Sequence, residues 1–203
     1  MSITCTTGQI YVTAASQAPD SSDVTLIRSI AAGDKHAMQI LFARHNVRVF
    51  RFLVRFVGDT SAAEDLVSEV FLDVWRRAET FQGRSQVTTW LLALARNKAL
   101  SALRRRSTEE LDDKAVAAVE DPQDNAEVSI QNRQTSEILL KCLTQLSPPH
   151  REVIDLVYYH EKSIDEVADI TGVPQNTVKT RMFYARRHIA ELMSAQGIER
   201  AIV

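Results

Sequence analysis

The sequence predicts an all-α protein: two small helical domains joined by a flexible acidic linker. Three observations lead there. The 203 residues include only 6 Gly and 5 Pro, too few for the many turns of an all-β chain. Apolar residues recur at helical spacing between caps and breaks, and no segment alternates as a strand does. Charge is unevenly spread. Residues 1–106 carry 14 basic and 9 acidic residues, a net +5. Residues 107–137 carry 2 and 9, a net −7, and residues 138–203 carry 8 of each. The whole-chain charge of −2 taken alone argues against a nucleic-acid binder, since phosphate neutralisation favours basic proteins. The separation removes that objection and reads as two domains and a tether. The divisions are a disordered tail over 1–22, a first domain over 23–106, a linker over 107–136, a second domain over 137–195 and a short tail over 196–203.

Each helix has its own signals. Asp23 can cap a short helix to Ala32 carrying Leu26, Ile27 and Ile30 on one face, with Gly33 as its stop. Asp34 caps a second helix to about Val57, with Met38, Leu41, Phe42, Val49, Phe52, Leu53 and Phe56 inward. Ser61 and Glu64 form an S-x-x-E capping box opening a third helix to about Ala78. A loop over 80–86 contains Gly83, and a fourth helix runs from Val87 to Arg106 with Trp90, Leu91, Leu94, Ala95 and Leu103 inward. After the linker, a helix from about Ala126 leads to Leu146 and breaks at Ser147-Pro148-Pro149. Helices over 151–159, 163–171 and 174–195 follow, the second opened by a Ser163/Glu166 capping box and closed by Gly172.

The last two helices have helix-turn-helix spacing around Thr171-Gly172-Val173. Ala168 is small enough for close approach, and Val167, Ile170, Val173 and Val178 bury the junction. The final helix carries Lys179, Arg181, Arg186, Arg187 and His188 with no acid between Val173 and Ala190, whereas the helices before it hold Glu152, Asp155, Glu161, Asp165, Glu166 and Asp169. Gln175, Asn176, Thr177, Lys179, Thr180, Arg181 and Arg186 suit a major groove, where amides and guanidinium read base edges and Lys and Thr hold phosphates. An ordinary hairpin with a solvated basic face is the plainer alternative, though such faces more often mix signs.

In the first domain Asp65, Glu69 and Asp73 fall at i, i+4 and i+8 beside a wide apolar stripe of Leu66, Val67, Val70, Phe71, Val74 and Trp75. They form a solvated acidic face or a dock for a basic partner. Phe81 and Trp90 flank the Gly83–Gln86 loop, followed by Asn97, Lys98 and Arg104–Arg106. Aromatic and cationic groups together suit single-stranded nucleic acid. Trp90 reads as core rather than as a base contact.

Other function classes find no support. No nucleophile–histidine arrangement, phosphate loop or metal-ligand spacing is present, and His36, His45, His150, His160 and His188 are scattered. No catalytic residue, metal or cofactor is expected. Cys5 and Cys142 are too isolated for a disulfide framework and read as reduced thiols. There is no signal-peptide pattern and no apolar run of membrane-spanning length.

Four segments carry a family resemblance: LIRSIAAGDKHAMQILFARH (26–45), AEDLVSEVFLDVWRRAETF (63–81), RSQVTTWLLALARNKALSALRRR (84–106) and LSPPHREVIDLVYYHEKSIDEVADITGVPQNTVKTRMFYARRHI (146–189). In this order, with an acidic linker, the chain resembles the extracytoplasmic-function (ECF) sigma factors of the bacterial sigma-70 family over roughly 23–193. The resemblance implies a promoter-specificity subunit of RNA polymerase. Region 2 (23–106) would bind the β′ clamp helices through Asp65, Glu69 and Asp73. It would also capture a flipped base of the melted −10 element with Phe81, Arg84, Ser85, Asn97 and Lys98. Region 4 (137–195) would meet the β flap and bind the duplex −35 element through Gln175, Asn176, Thr177, Lys179, Thr180, Arg181 and Arg186. The linker would thread the polymerase channel, its charge mimicking nucleic acid. An anti-sigma factor would restrain the protein in a stress, envelope or redox response. The protein itself would be cytoplasmic with no direct membrane insertion, held at the inner membrane where its partner is anchored. Many relatives have Gly where this chain has Asn176, and TVKSR where it has TVKTR, so the −35 preference could differ. Two alternatives compete: a stand-alone helix-turn-helix regulator and a polymerase-sequestering decoy.

Overall fold

The computed structural model describes residues 22–109 and 142–195, all of whose regular structure is helical. Expectations for the tail over 1–21, for 110–141 (most of the linker and the helix from Ala126) and for 196–203 lie outside the described residues.

The first domain is a four-helix unit: α1 (Asp23–Ala31), α2 (Lys35–Val57), α3 (Thr60–Arg77) and α4 (Val87–Glu109), with a 3₁₀ turn at Ala78–Thr80. Ser22, not Asp23, caps α1 by accepting from the Thr25 N–H. That frees the Asp23 carboxylate to bind α2, taking Arg44 Nη1 at 3.0 Å and His45 Nε2 at 2.7 Å. Asp34 caps α2 as expected, accepting from the His36 and Ala37 N–H groups.

The Ser61/Glu64 box does not form. Gly58 ends α2 in the left-handed conformation (φ 71°), which leaves Asp59 extended and one residue ahead of the helix. Asp59 becomes the cap, accepting from the Ala62 N–H at 3.1 Å, so Ser61 already lies inside α3. That N–H bond draws the Asp59 carboxyl below its usual range, and Arg106 at 3.3 Å acts in the same direction.

The core of this domain is built from Ile27, Ile30, Leu41, Phe52, Leu53, Val70, Val74 and Leu91. Six residues expected inward are less covered. Phe42 is 41% exposed, resting edge-on against Phe71, and Trp75 is 36% exposed, while Met38, Phe56, Trp90 and Leu103 are half-buried. Leu92 is buried although it falls outside the expected stripe. It shares a face with Thr89 and Arg96 by helical spacing, and that face meets the second domain. α4 therefore buries two sides rather than one.

The second domain contains α5 (Pro148–Ile154), a π turn (Asp155–Tyr159), α6 (Ile164–Thr171) and α7 (Gln175–Ala195). The proline pair opens α5 behind Ser147 instead of only breaking the helix before it, because a missing N–H costs nothing in a first turn. Arg151 joins the preceding segment to this domain, donating to the carbonyls of Leu143, Thr144 and Leu146. Burial pushes the Arg151 guanidinium below its ordinary range. The end of the expected 151–159 helix widens into the π turn, with the His160 N–H donating to Asp155 O. Glu161 then takes φ 54°, sparsely populated for a side-chain-bearing residue. The reversal sends His160 and Lys162 inward, where they are 3% and 5% exposed.

The capping assignment is directly testable. Asp59→Ala should lower the urea midpoint of the chain, and Ser61→Ala should leave it unchanged. Equal losses would restore the Ser61 box.

Candidate nucleic-acid interface

The helix-turn-helix forms as the sequence reading expects. Ser163 and Glu166 make a reciprocal capping box at the start of α6. Gly172 ends α6 at φ 69°, and the space around it is open, so the backbone conformation rather than crowding calls for glycine. The Thr177 and Val178 N–H groups donate to Pro174 O, turning the chain into α7. Val167, Ile170 and Val178 are buried at the junction, while Val173 is half-buried. α7 buries Val178, Met182, Ala185, Ile189 and Met193, so its opposite side faces solvent. Gln175, Asn176, Lys179, Thr180 and Arg186 are exposed there, with Thr177 and Arg181 half-buried. The Thr180 hydroxyl donates to Asn176 O at 2.8 Å, which leaves its lone pairs for an incoming donor. Arg187 and His188 turn to Glu191 at 2.9 and 3.7 Å, just beyond the acid-free stretch. Arg186 lies 5.6 Å from the centre of the Tyr158 ring.

In the first domain the expected residues gather around two features. Phe81 is half-buried against Trp90, ring centres 5.1 Å apart, and both pack against the core. Arg84 is exposed and Ser85 half-buried in the same loop. The second feature is a groove of about 480 Å³ between α3 and α4, lined in part by Glu69, Asp73, Asn97, Lys98, Arg104 and Arg105. Lys98 Nζ sits 3.4 Å from Glu69 and 3.2 Å from Asp73. Two of the three acids thus pair with a lysine expected at DNA. Asp73 is buried and Asp65 stands exposed. Exposed Leu72 and Trp75 lie on α3 too, and exposed Phe42 faces α3 from α2.

Several of the charges contrasted in the sequence serve neither surface. Glu152, Asp155 and Glu166 do not form a solvated acidic face. Arg96 grips Glu152 through Nε at 2.5 Å and Nη2 at 3.5 Å. Arg55 Nη1 donates to Asp155 at 3.0 Å and its guanidinium stacks 4.0 Å over the Tyr159 ring. Lys162 Nζ meets four oxygens: Thr88 Oγ1 at 2.7 Å, Glu166 Oε1 at 2.9 Å, Thr89 Oγ1 at 3.0 Å and Gln86 Oε1 at 3.3 Å. The Thr89 hydroxyl donates to Glu166 at 2.5 Å. His160 packs edge-on to Phe52 at 5.6 Å. Its Nε2 is 3.3 Å from Asp155 Oδ2, but neither ring nitrogen is aligned for a hydrogen bond. Except for Lys162 with Glu166 and His160 with Asp155, these contacts join the two domains. Sequence reasoning missed Arg55, Thr89, Arg96 and Lys162 because their partners are 56 or more residues away.

Comparison with known proteins places the chain. Residues 41–109 match the family described as Sigma-70 region 2, and residues 136–189 match Sigma-70, region 4. RNA polymerase sigma factor CarQ of Myxococcus xanthus is 31% identical over 171 residues, covering 82% of this chain and 95% of CarQ. The chain belongs to the sigma-70 family. ECF RNA polymerase sigma factor SigL of Mycobacterium tuberculosis is 27% identical over 178 residues, covering 86% of this chain and 98% of SigL. Two solved structures share the fold. The sigma factor RpoE in complex with the anti-sigma factor NepR from Bartonella quintana has a TM-score of 0.65 and 24% identity, covering 77% of this chain and 96% of that one. CnrH in complex with the cytosolic domain of CnrY has a TM-score of 0.64 and 22% identity, covering 86% and 99%.

The protein is thus an ECF sigma factor, a specificity factor for transcription initiation. Among the described residues no helix is long and apolar enough to cross a membrane, and no group of His, Cys, Asp and Glu could hold a metal. Cys142 is buried, and burial pushes its thiol up, away from the reactive thiolate.

The domain contact of this sigma factor should be acid-sensitive in a defined window. Burial pushes the Glu166 carboxyl up. Hydrogen bonds from Thr89, Lys162 and the Ser163 N–H, with the Lys162 charge, more than reverse that and bring it down to about 2. A carboxyl lowered by folding adds stability that is complete above its unfolded value of about 4.5 and is lost as pH falls toward 2. Urea unfolding of the wild type and Glu166→Gln across pH 2–7 should show a gap that closes between pH 4.5 and 2. A gap independent of pH would contradict the assignment.

Proposed function

We propose that this sigma factor reads the −35 element with the solvent side of α7 and engages the melted −10 strand with the loop over 80–86 and the start of α4. The observation that carries the reading is the exposed row of Gln175, Asn176, Lys179, Thr180 and Arg186 on a helix whose opposite side is wholly occupied by the core. Gln175 and Asn176 lie in the first turn, where a recognition helix meets base edges. Lys179, Thr180, Arg181 and Arg186 supply phosphate contacts and guanidinium readout, and Thr177 supports the first turn.

At the −10 side, Phe81 leaning on Trp90 is a pre-ordered apolar wall for an unstacked base. Arg84, Ser85 and Asn97 supply polar contacts, and Lys98 tracks the backbone. Asp65, Glu69 and Asp73 support docking on the polymerase β′ clamp helices, Asp65 from an exposed position and Glu69 and Asp73 from beside Lys98. The exposed Phe42, Leu72 and Trp75 give that surface its apolar part. An anti-sigma factor gripping both domains would silence the chain, as the names of two structural neighbours describe for those proteins. The protein would then act in the bacterial cytoplasm, tethered to the inner membrane only through an anchored partner.

The test is transcription in vitro with core polymerase. Wild-type protein should direct initiation at defined start sites. Lys179→Ala and Arg181→Ala should each lower −35-dependent initiation about fivefold to 150-fold, for contacts worth about 1–3 kcal/mol, while leaving polymerase binding intact. Site-specific binding to duplex DNA alone, with no initiation, would favour a stand-alone regulator. Indifference of polymerase-dependent effects to both substitutions would favour a decoy. Co-purification from the native host should also recover an anti-sigma factor. Recovery of polymerase subunits alone, before and after stress, would exclude that restraint.

A further inference from the structure

We infer that Asp23 and His45 are positioning residues for the −10 loop: their bond fixes the seat of α1, and α1 braces the turn from which Phe81 projects. The inference deepens the −10 reading proposed above and rests on it.

The local chemistry of α1 leaves this pair available. Ser22 already caps the helix, so the Asp23 carboxylate reaches α2 and spends its two oxygens on two donors. Oδ2 meets His45 Nε2 at 2.7 Å, and Oδ1 accepts from Arg44 Nη1 at 3.0 Å. A carboxylate only accepts, so Nε2 carries the proton in this contact. His45 is 8% exposed. The Arg44 side chain is 33% exposed, and solvent screens its share. The histidine bond is therefore the stronger anchor.

α1 needs an anchor. Its nine residues are too few for an isolated helix to persist in water. Leu26, Ile27 and Ile30 bury its apolar face, but apolar burial is non-directional and leaves the rotation and register of a short helix weakly specified. The Asp23 bonds fix both, from the first residue of the helix.

What α1 covers gives the pair its function. α1 packs against the 3₁₀ turn Ala78–Thr80 as well as against α2. Ala78 is buried. Its carbonyl accepts the Phe81 N–H at 3.2 Å, and the Thr80 hydroxyl donates to Arg77 O at 2.8 Å. Phe81 leaves this turn to lean on Trp90, ring centres 5.1 Å apart. The apolar wall offered to an unstacked base thus stands on a turn that α1 backs, and a shift of α1 displaces the footing of that wall.

Three variants of the full-length chain test the assignment. His45→Leu removes the donor. Asp23→Asn removes the charge with little change of shape. His45→Gln puts an amide nitrogen close to the place of Nε2, so it restores the bond without the ring. Loop order is read without DNA, from acrylamide quenching of Trp90 in a Trp75→Phe background that leaves it the sole tryptophan. Opening is read in complexes saturated with core polymerase, from the fluorescence of 2-aminopurine placed in the −10 element of a promoter that the wild type opens. His45→Leu and Asp23→Asn should raise Trp90 quenching and slow opening about threefold to tenfold, a part of what a hydrogen bond to a charged group is worth, with −35 duplex binding unchanged. His45→Gln should return both signals toward wild type. Unchanged quenching in folded His45→Leu and Asp23→Asn proteins, or a His45→Gln protein as impaired as His45→Leu, would overturn the assignment. Raised quenching with normal opening would overturn its link to the promoter. Normal opening by Phe81→Ala would instead remove the −10 reading of the loop, and the quenching would still decide whether the pair positions it.

Discussion

A lysine that is 5% exposed needs acceptors, and Lys162 finds three of its four on the other domain. That requirement organises much of the rest. It explains why Thr89 is buried, why α4 is apolar on two sides through Leu91 and Leu92, and why Glu166 serves both as a helix-capping partner and as a counter-ion. The π turn and the left-handed Glu161 are the local means by which Lys162 reaches the seam. A regular helix through 155–162 would carry it elsewhere, since each inserted residue rotates the downstream chain by about 100°.

The functional surfaces are arranged around this seam rather than across it. α7 commits its apolar stripe to its own domain and keeps its polar side free. The groove between α3 and α4 keeps Lys98 close to Glu69 and Asp73, so the cation proposed for phosphate is already paired in the free chain. The near-neutral total charge of −2 fits this arrangement. If it reads both promoter elements as proposed, such a chain should bind DNA weakly alone and gain affinity when the polymerase presents two sites at once.

Much of the fold was legible locally. The caps at Asp34 and Ser163, the turn at Gly172 and the amphipathic stripes depend on neighbours within a few residues, and the structure agrees with them. Errors arose where two local solutions competed. Gly58 placed Asp59 ahead of Ser61 as a cap, and Ser22 replaced Asp23, whose carboxylate was taken by α2. The helix-turn-helix was legible because its residues are contiguous. The seam was not, because Arg96 and Glu152 are 56 residues apart and Arg55 and Asp155 are 100 apart. No periodicity links such positions. The charge contrast between α7 and the helices before it was visible, but three of those acids answer groups on the first domain rather than solvent.

The central claim is that a buried polar seam holds the two domains of the free chain together. The direct measurement is the distance between a spin label on Lys35 in the first domain and one on Ala190 in the second, both exposed sites, by pulsed electron resonance on the free protein and on its Thr89→Val variant. The account predicts one short, narrow distance in the wild type that broadens toward longer values in the variant. A broad long distribution already present in the wild type, or an unchanged narrow distance in the variant, would contradict it.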